Sequence, residues 1–156
     1  FDKSINSNKP FQKICRKEQS FIRMIVLTFL RKNGEIDKFI FQYIKKKTSK
    51  IIMNILRVGV TQILYLNVTE YSAVSTSVDI AKKFSPKLSQ LVNAVLRNIC
   101  RNKTKLINSS NPESNIPYWI KDDWIKNFGE CEAKKISMLS SSKPPMDIKI
   151  KKKKIP

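Results

Sequence analysis

The chain has 156 residues with 31 Lys+Arg against 12 Asp+Glu, a net charge of +19, three cysteines and no histidine. Lacking histidine, it has neither the commonest general base nor the commonest metal ligand, which excludes ordinary catalytic triads and histidine-bearing metal sites. Cys15, Cys100 and Cys131 are odd in number and far apart with no C-x-x-C pair, which argues against a disulfide framework or a zinc site and for reduced thiols.

The positive charge is spread over the whole body: 13 basic against 4 acidic residues over 1–55, 8 against 2 over 56–108, and 10 against 6 over 109–156. A field of one sign on this scale favours a polyanionic partner, either RNA, DNA or an anionic membrane surface. Lysine far outnumbers arginine and Ile, Asn and Ser abound, the pattern of an AT-rich genome, so part of the charge reflects mutational drift. The longest largely apolar run, Met24–Leu30, is far short of the roughly 20 residues of a membrane span, and no signal-peptide pattern opens the chain. A soluble, cytoplasmic protein is expected. With only 3 glycines and 41% hydrophobic residues, the composition favours an all-α fold.

Residues 1–17 are polar and basic, interrupted by Pro10, with a weak helical signal at Phe1–Ile5. From Glu18 to Asn33, Phe21, Ile22, Ile25, Val26, Phe29 and Leu30 recur at helical spacing, predicting a mostly buried helix that stops at Gly34. Ile36, Phe39, Ile40, Tyr43 and Ile44 predict a second helix, closed by Lys45–Lys47 as a solvated end complementing the helix dipole. A third, from about Lys50 to Leu66, turns Ile52, Ile55, Leu56, Gly59 and Ile63 inward. Mid-helix glycine costs about 1 kcal/mol against alanine, so Gly59 implies close approach of another helix. Asn67–Glu70 breaks the pattern. A fourth helix, about Tyr71–Phe84, buries Ala73, Val74, Val78 and Ala81.

The fifth helix, Pro86 to about Arg101, lines up Leu88, Leu91, Val92, Val95, Leu96 and Ile99. Ser85 is expected to cap it and Pro86 to open it. Residues 102–116, rich in Asn, Ser and Pro, read as a linker. Pro117 opens a short helix with Trp119, Ile120, Trp124, Ile125 and Phe128, ended by Gly129, and the spacing of both tryptophans favours core packing. Glu130 to about Ser140 forms another, turning Ala133, Ile136 and Leu139 inward. Met146, Ile148 and Ile150 alternate with polar residues, a strand-like signal that fails in the lysine run 151–154.

The stretches LRVGVTQILYL (56–66) and LVNAVLRNI (91–99), with AKKFSP (81–86) between them, closely resemble the NusB-like domain. The likeness is specifically to the version at the N-terminus of the RsmB (Sun/Fmu) ribosomal RNA cytosine-C5 methyltransferases. EQSFIRMIVLTFLRKNGEID (18–37) resembles the same family upstream. PYWIKDDWIKNFGE (117–130) and KPPMDIKI (143–150) look like the next small domain of those enzymes, which NusB itself lacks. The resemblance covers about residues 18–150. It implies an all-helical bundle over 18–102, a linker over 103–116 and the start of the RsmB-type linker domain over 117–150, flanked by an N-terminal remnant (1–17) and a basic tail (151–156).

The chain departs from the family in three ways. The family's first helix would precede Phe1. Ser72, Ser75 and Thr76 stand where the family has His, Asn and Glu. The S-adenosylmethionine-binding domain has no counterpart, so no cofactor and no catalytic residue are expected here, and Cys131 reads as an ordinary helix residue. The start at Phe1 and the lysine-rich tail read as marks of a fragment, a processed product or a frameshifted gene in a bacterial genome, and a bundle without its first helix is expected to be marginally stable.

The resemblance implies an RNA-binding module, the targeting part of a methyltransferase for small-subunit ribosomal RNA. The other reading is a free-standing NusB-type antitermination adaptor that binds RNA and a ribosomal protein. A membrane partner is disfavoured because the apolar faces pair with one another, and no metal is expected. Phosphate neutralisation would fall to Arg57, Lys82, Lys83, Lys87, Arg97 and Arg101. Asn93, inside the fifth helix, is either an RNA contact or bonded to neighbouring backbone.

Overall fold

The computed structural model describes residues 7–46, 48–66 and 68–145. The expected helix at Phe1–Ile5, the strand-like stretch 146–150 and the tail lie outside them. The described residues form α1 (Lys9–Gln12), α2 (Arg16–Phe41), α3 (Lys50–Tyr65), α4 (Glu70–Phe84), α5 (Pro86–Arg101), α6 (Lys103–Asn108), a 3-10 turn (Pro112–Asn115) and α7 (Tyr118–Ser141), with no strand among them. The all-α expectation holds.

Helix α3 is the axis of the bundle. Ile52, Leu56, Val60 and Ile63 are completely or almost completely buried, and α2, α4 and α5 all pack on it. Its first turn is capped by Ser49, whose Oγ accepts from the Ile52 N–H at 3.4 Å. Thr61, the buried hydroxyl on this helix, donates to the Arg57 carbonyl at 2.7 Å, so the core takes it without an orphaned group. Gly59 does what its position implied. A Cβ there would lie 2.9 Å from Leu96 Cδ1 on α5 and 3.0 Å from Ser77 Oγ on α4.

Several expectations need correction. Gly34 does not stop a helix: Glu18–Asn33 and Ile36–Phe41 belong to one continuous 26-residue α2. The glycine serves a crossing instead, because a Cβ at 34 would fall far inside van der Waals contact with the Ser114 carbonyl oxygen of the 3-10 turn. The N-terminal half of α2 is less buried than its apolar stripe implied, with Ile25 buried but Phe21, Met24 and Leu30 exposed. Lys45 and Lys46 do not close a helix, since α2 ends at Phe41 and both lie in the connection beyond it.

Ser85 sits at the N-cap of α5 with Pro86 following as expected, but its side chain makes no capping bond. The Ser85 backbone carbonyl instead accepts from Leu88 N–H at 3.0 Å. The stretch read as a linker is largely helical, and Leu106 of α6 is buried in the main core. Helix α7 breaks at Gly129, where φ is 78° and ψ 165°, a conformation open essentially to glycine alone. Its second half packs through Ala133, Ser137 and Ser141 rather than Leu139, which is 72% exposed. The buried serine Ser137 donates to the Ala133 carbonyl one turn back, at 2.8 Å. Trp119 is 73% exposed and Trp124 half-buried, against the expected core packing.

One polar cluster ties these layers together. Glu35, only 1% exposed, accepts from the Tyr65 hydroxyl at 2.9 Å and the Ser110 hydroxyl at 2.5 Å, with Lys32 Nζ 3.4 Å away. Its own N–H donates to Asn115 Oδ1 at 2.9 Å. Ser141 at the end of α7 donates to the Pro112 carbonyl at 3.2 Å. Burial, and then the Glu35 charge, push the Tyr65 phenol well above its ordinary value near 10. A phenol raised in the folded state contributes stability that is complete below about pH 10 and is lost as pH rises beyond it. Wild-type melting temperature is therefore expected to fall more steeply than that of Tyr65→Phe between about pH 9 and 11. Parallel curves would show that the phenol adds nothing.

Candidate nucleic-acid interface

Helices α4 and α5 are joined by the single residue Ser85 and lie side by side. Each turns its small and apolar stripe inward, Ala73, Ser77 and Ala81 on α4 and Val92, Val95, Leu96 and Ile99 on α5. The polar residues beside those stripes therefore flank a groove of about 400 Å³, lined among others by Val74, Lys82, Asn93, Arg97 and Arg101. Four of the seven sequence-predicted residues are thus brought together. Ser75 lines the same groove.

Within this groove Arg97 and Arg101 are one turn apart on α5 and exposed. Arg97 Nε donates to Asn93 Oδ1 at 3.2 Å, so half-buried Asn93 bonds a groove side chain and orients the guanidinium. Among the described residues neither arginine is ion-paired. Lys82 is less free, with its ammonium 3.1 Å from Asp79. Glu70, the other acid on the lining, lies 3.7 Å from Lys103. With both carboxylates committed to lysines, the arginines are the unopposed charges, and guanidinium geometry suits phosphate. On the groove lining, burial, and then Glu70, push the Cys100 thiol up.

The other three residues stand elsewhere. Lys83 and Lys87 are exposed on either side of the Ser85 junction, outside the groove lining. Arg57 on α3 is held by Asp37 of α2 through two bonds, Nε–Oδ1 at 2.8 Å and the second guanidinium nitrogen to Oδ2 at 2.7 Å, and it also lies 5.7 Å from the Phe29 ring centre. Asp37, acting first through its hydrogen bonds, raises the guanidinium pKa further. Two bonds between α2 and α3 are a structural use of this side chain. Sequence reasoning had no means of pairing residues twenty apart on separate helices.

Among the described residues no helix is long and apolar enough to cross a membrane, and no cluster of acidic and cysteine side chains could hold a metal ion.

A family model described as the NusB family matches residues 1–101. The transcription antitermination protein NusB of Syntrophomonas wolfei is 33% identical over 97 residues, covering 58% of this chain and 72% of that protein. The NusB of Ligilactobacillus salivarius is 30% identical over 105 residues, covering 60% of this chain and 80% of that protein. The ribosomal RNA small subunit methyltransferase B of Escherichia coli O1:K1 / APEC is 23% identical over 146 residues. That match takes in 89% of this chain but 34% of the methyltransferase, so the chain spans about a third of that relative's length.

Proposed function

We propose that this chain, which belongs to the NusB family, is an RNA-binding module that targets a ribosomal RNA cytosine-5 methyltransferase to small-subunit ribosomal RNA. The observation that carries the reading is the groove between α4 and α5, where Arg97 and Arg101 stand unopposed on a chain of net charge +19. Recognition works by neutralising phosphates and fitting backbone shape, with few base edges read. The methyltransferase side of the reading is supported by the reach of the match: likeness to methyltransferase B runs over 146 residues, through α6 and α7, whereas the likeness to NusB proteins covers 97 to 105.

The second reading, a transcription antitermination adaptor that holds RNA together with a ribosomal protein, is favoured by the higher identity to NusB proteins, 33% against 23%. A pull-down of ribosomal proteins with and without RNA separates the two, because only the adaptor needs one.

Salt titration of binding to small-subunit ribosomal RNA tests the shared part. If about six phosphates are neutralised, log K falls against log salt with a slope of about −4. In the double variant Arg97→Ala/Arg101→Ala the slope is expected to flatten by about 1.4 and affinity at low salt to drop more than tenfold. Binding indifferent to salt, or unaltered in the double variant, would overturn the mechanism.

A further inference from the structure

We propose a second RNA site at the connection between α2 and α3, where an unpaired base stacks on Phe41 and its flanking phosphates lie on Lys45, Lys46 and Lys50. This inference rests on the RNA-binding reading above and adds a site and a ligand class to it: single-stranded RNA.

The connection borders a groove of about 700 Å³, lined by Phe41, Ile44, Met53, Thr48, the cations Lys45, Lys46 and Lys50, and Arg57, whose charge is already paired with Asp37. Among the described residues no carboxylate lines it, in contrast to the groove between α4 and α5 with Glu70 and Asp79. The three lysines are exposed, and helix stability accounts for none of them. Favourable charge–dipole interaction is confined to the last turn of a helix, which for α2 holds Lys38, while Lys45 and Lys46 lie beyond the helix end. Lys50 opens α3, where no acid stands in the first turn and a cation opposes the dipole. All three are placed where the fold gains nothing from them, and where a phosphate backbone would gain.

Phe41 makes the site selective. Phe41 is 59% exposed at the end of α2 and shares the groove lining with Ile44, Met53 and the lysines, so an aromatic surface is available to solvent among cations. Bases within a duplex have no free face to offer, whereas unpaired bases stack on aromatic side chains irrespective of their identity. The Thr48 hydroxyl oxygen in the same groove is buried without a hydrogen-bond partner among the described residues, an unusual state for a polar group.

The full chain would be titrated with a labelled single-stranded oligouridylate of about 12 nucleotides, and with a hairpin duplex of similar length, by fluorescence anisotropy. Phe41→Ala is expected to weaken single-strand binding about tenfold with the salt slope unchanged, Phe41→Tyr to retain it, and the hairpin to be indifferent to both. The triple variant Lys45→Ala/Lys46→Ala/Lys50→Ala is expected to flatten the salt slope by about 2. Because all four side chains are exposed, folding should survive, and a melt on each variant confirms it. Single-strand binding by Phe41→Ala within twofold of wild type, or an unaltered slope in the triple variant, overturns this site. If wild-type protein binds neither RNA, the general reading fails with it, whereas a loss in Arg97→Ala/Arg101→Ala without one in Phe41→Ala leaves that reading standing and removes only this site.

Discussion

Replacing Glu35 by alanine is expected to lower stability by about 3 kcal/mol, since both the Tyr65 and Ser110 hydroxyls then lose the oxygen they donate to and a cavity opens where the carboxylate was. Orphaning a buried donor costs about 1–3 kcal/mol, and Tyr65 and Ser110 are both half-buried. Glu35→Gln, which keeps one accepting oxygen and the volume, should recover roughly half. Chemical denaturation of the three proteins measures this directly. An alanine variant within about 0.5 kcal/mol of wild type, the range of ordinary surface substitutions, would mean that water replaces the carboxylate and that the cluster contributes little.

Gly34→Ala is expected to cost about as much, at the upper end of the usual range for overpacking. In an isolated helix this change would be favourable by about 1 kcal/mol. Here the added methyl would occupy the position of the Ser114 carbonyl, which is backbone and has no rotamer to retreat into. Relief requires the 3-10 turn to lift from α2, and Asn115 to release the Glu35 N–H. Limited proteolysis should then cut within 109–117 faster than in wild type, while α3 to α5 stay protected. Equal cleavage rates and an unchanged melting temperature would show that the crossing is looser than its geometry. At Gly59 the obstacles are the side chains of Leu96 and Ser77, which can adjust, so alanine there should be milder.

These two glycines show why parts of the fold were legible in the sequence and others were not. A helix-ending glycine and a glycine beneath a crossing chain look alike when followed by polar residues, and only the partner, Ser114, eighty positions away, tells them apart. Gly59 was readable because it lay inside an unbroken apolar stripe, where a stop made no sense. The inward faces of α3 and α5 were legible for the same reason, as their burial follows the 3.6-residue period.

Ser77 and Ser137 escaped because serine counts as polar. Each satisfies its hydroxyl on the carbonyl four residues back, at 2.7 and 2.8 Å, and so enters the core without a partner from another helix. At the candidate interface, helical spacing placed Arg97 and Arg101 on one face, and the structure shows that the predicted Asn93 and Lys82 line the same groove. The pairing of Arg57 with Asp37 was not legible because the two residues lie on different helices. The lysines after Phe41 passed for a helix end because the end itself was placed about three residues too late.

The bare backbone at Gly59 has one more implication. With no side chain as a spacer, Leu96 of α5 and Ser77 of α4 fill the space a Cβ at 59 would need, so both helices pack closely on the α3 backbone. The cleft they form is therefore a mould set before any ligand arrives. A polymer entering it pays for its own ordering and not for the protein's, so affinity should follow how well its contour suits a fixed template, and flexible strands should adapt to it more readily than stiff ones.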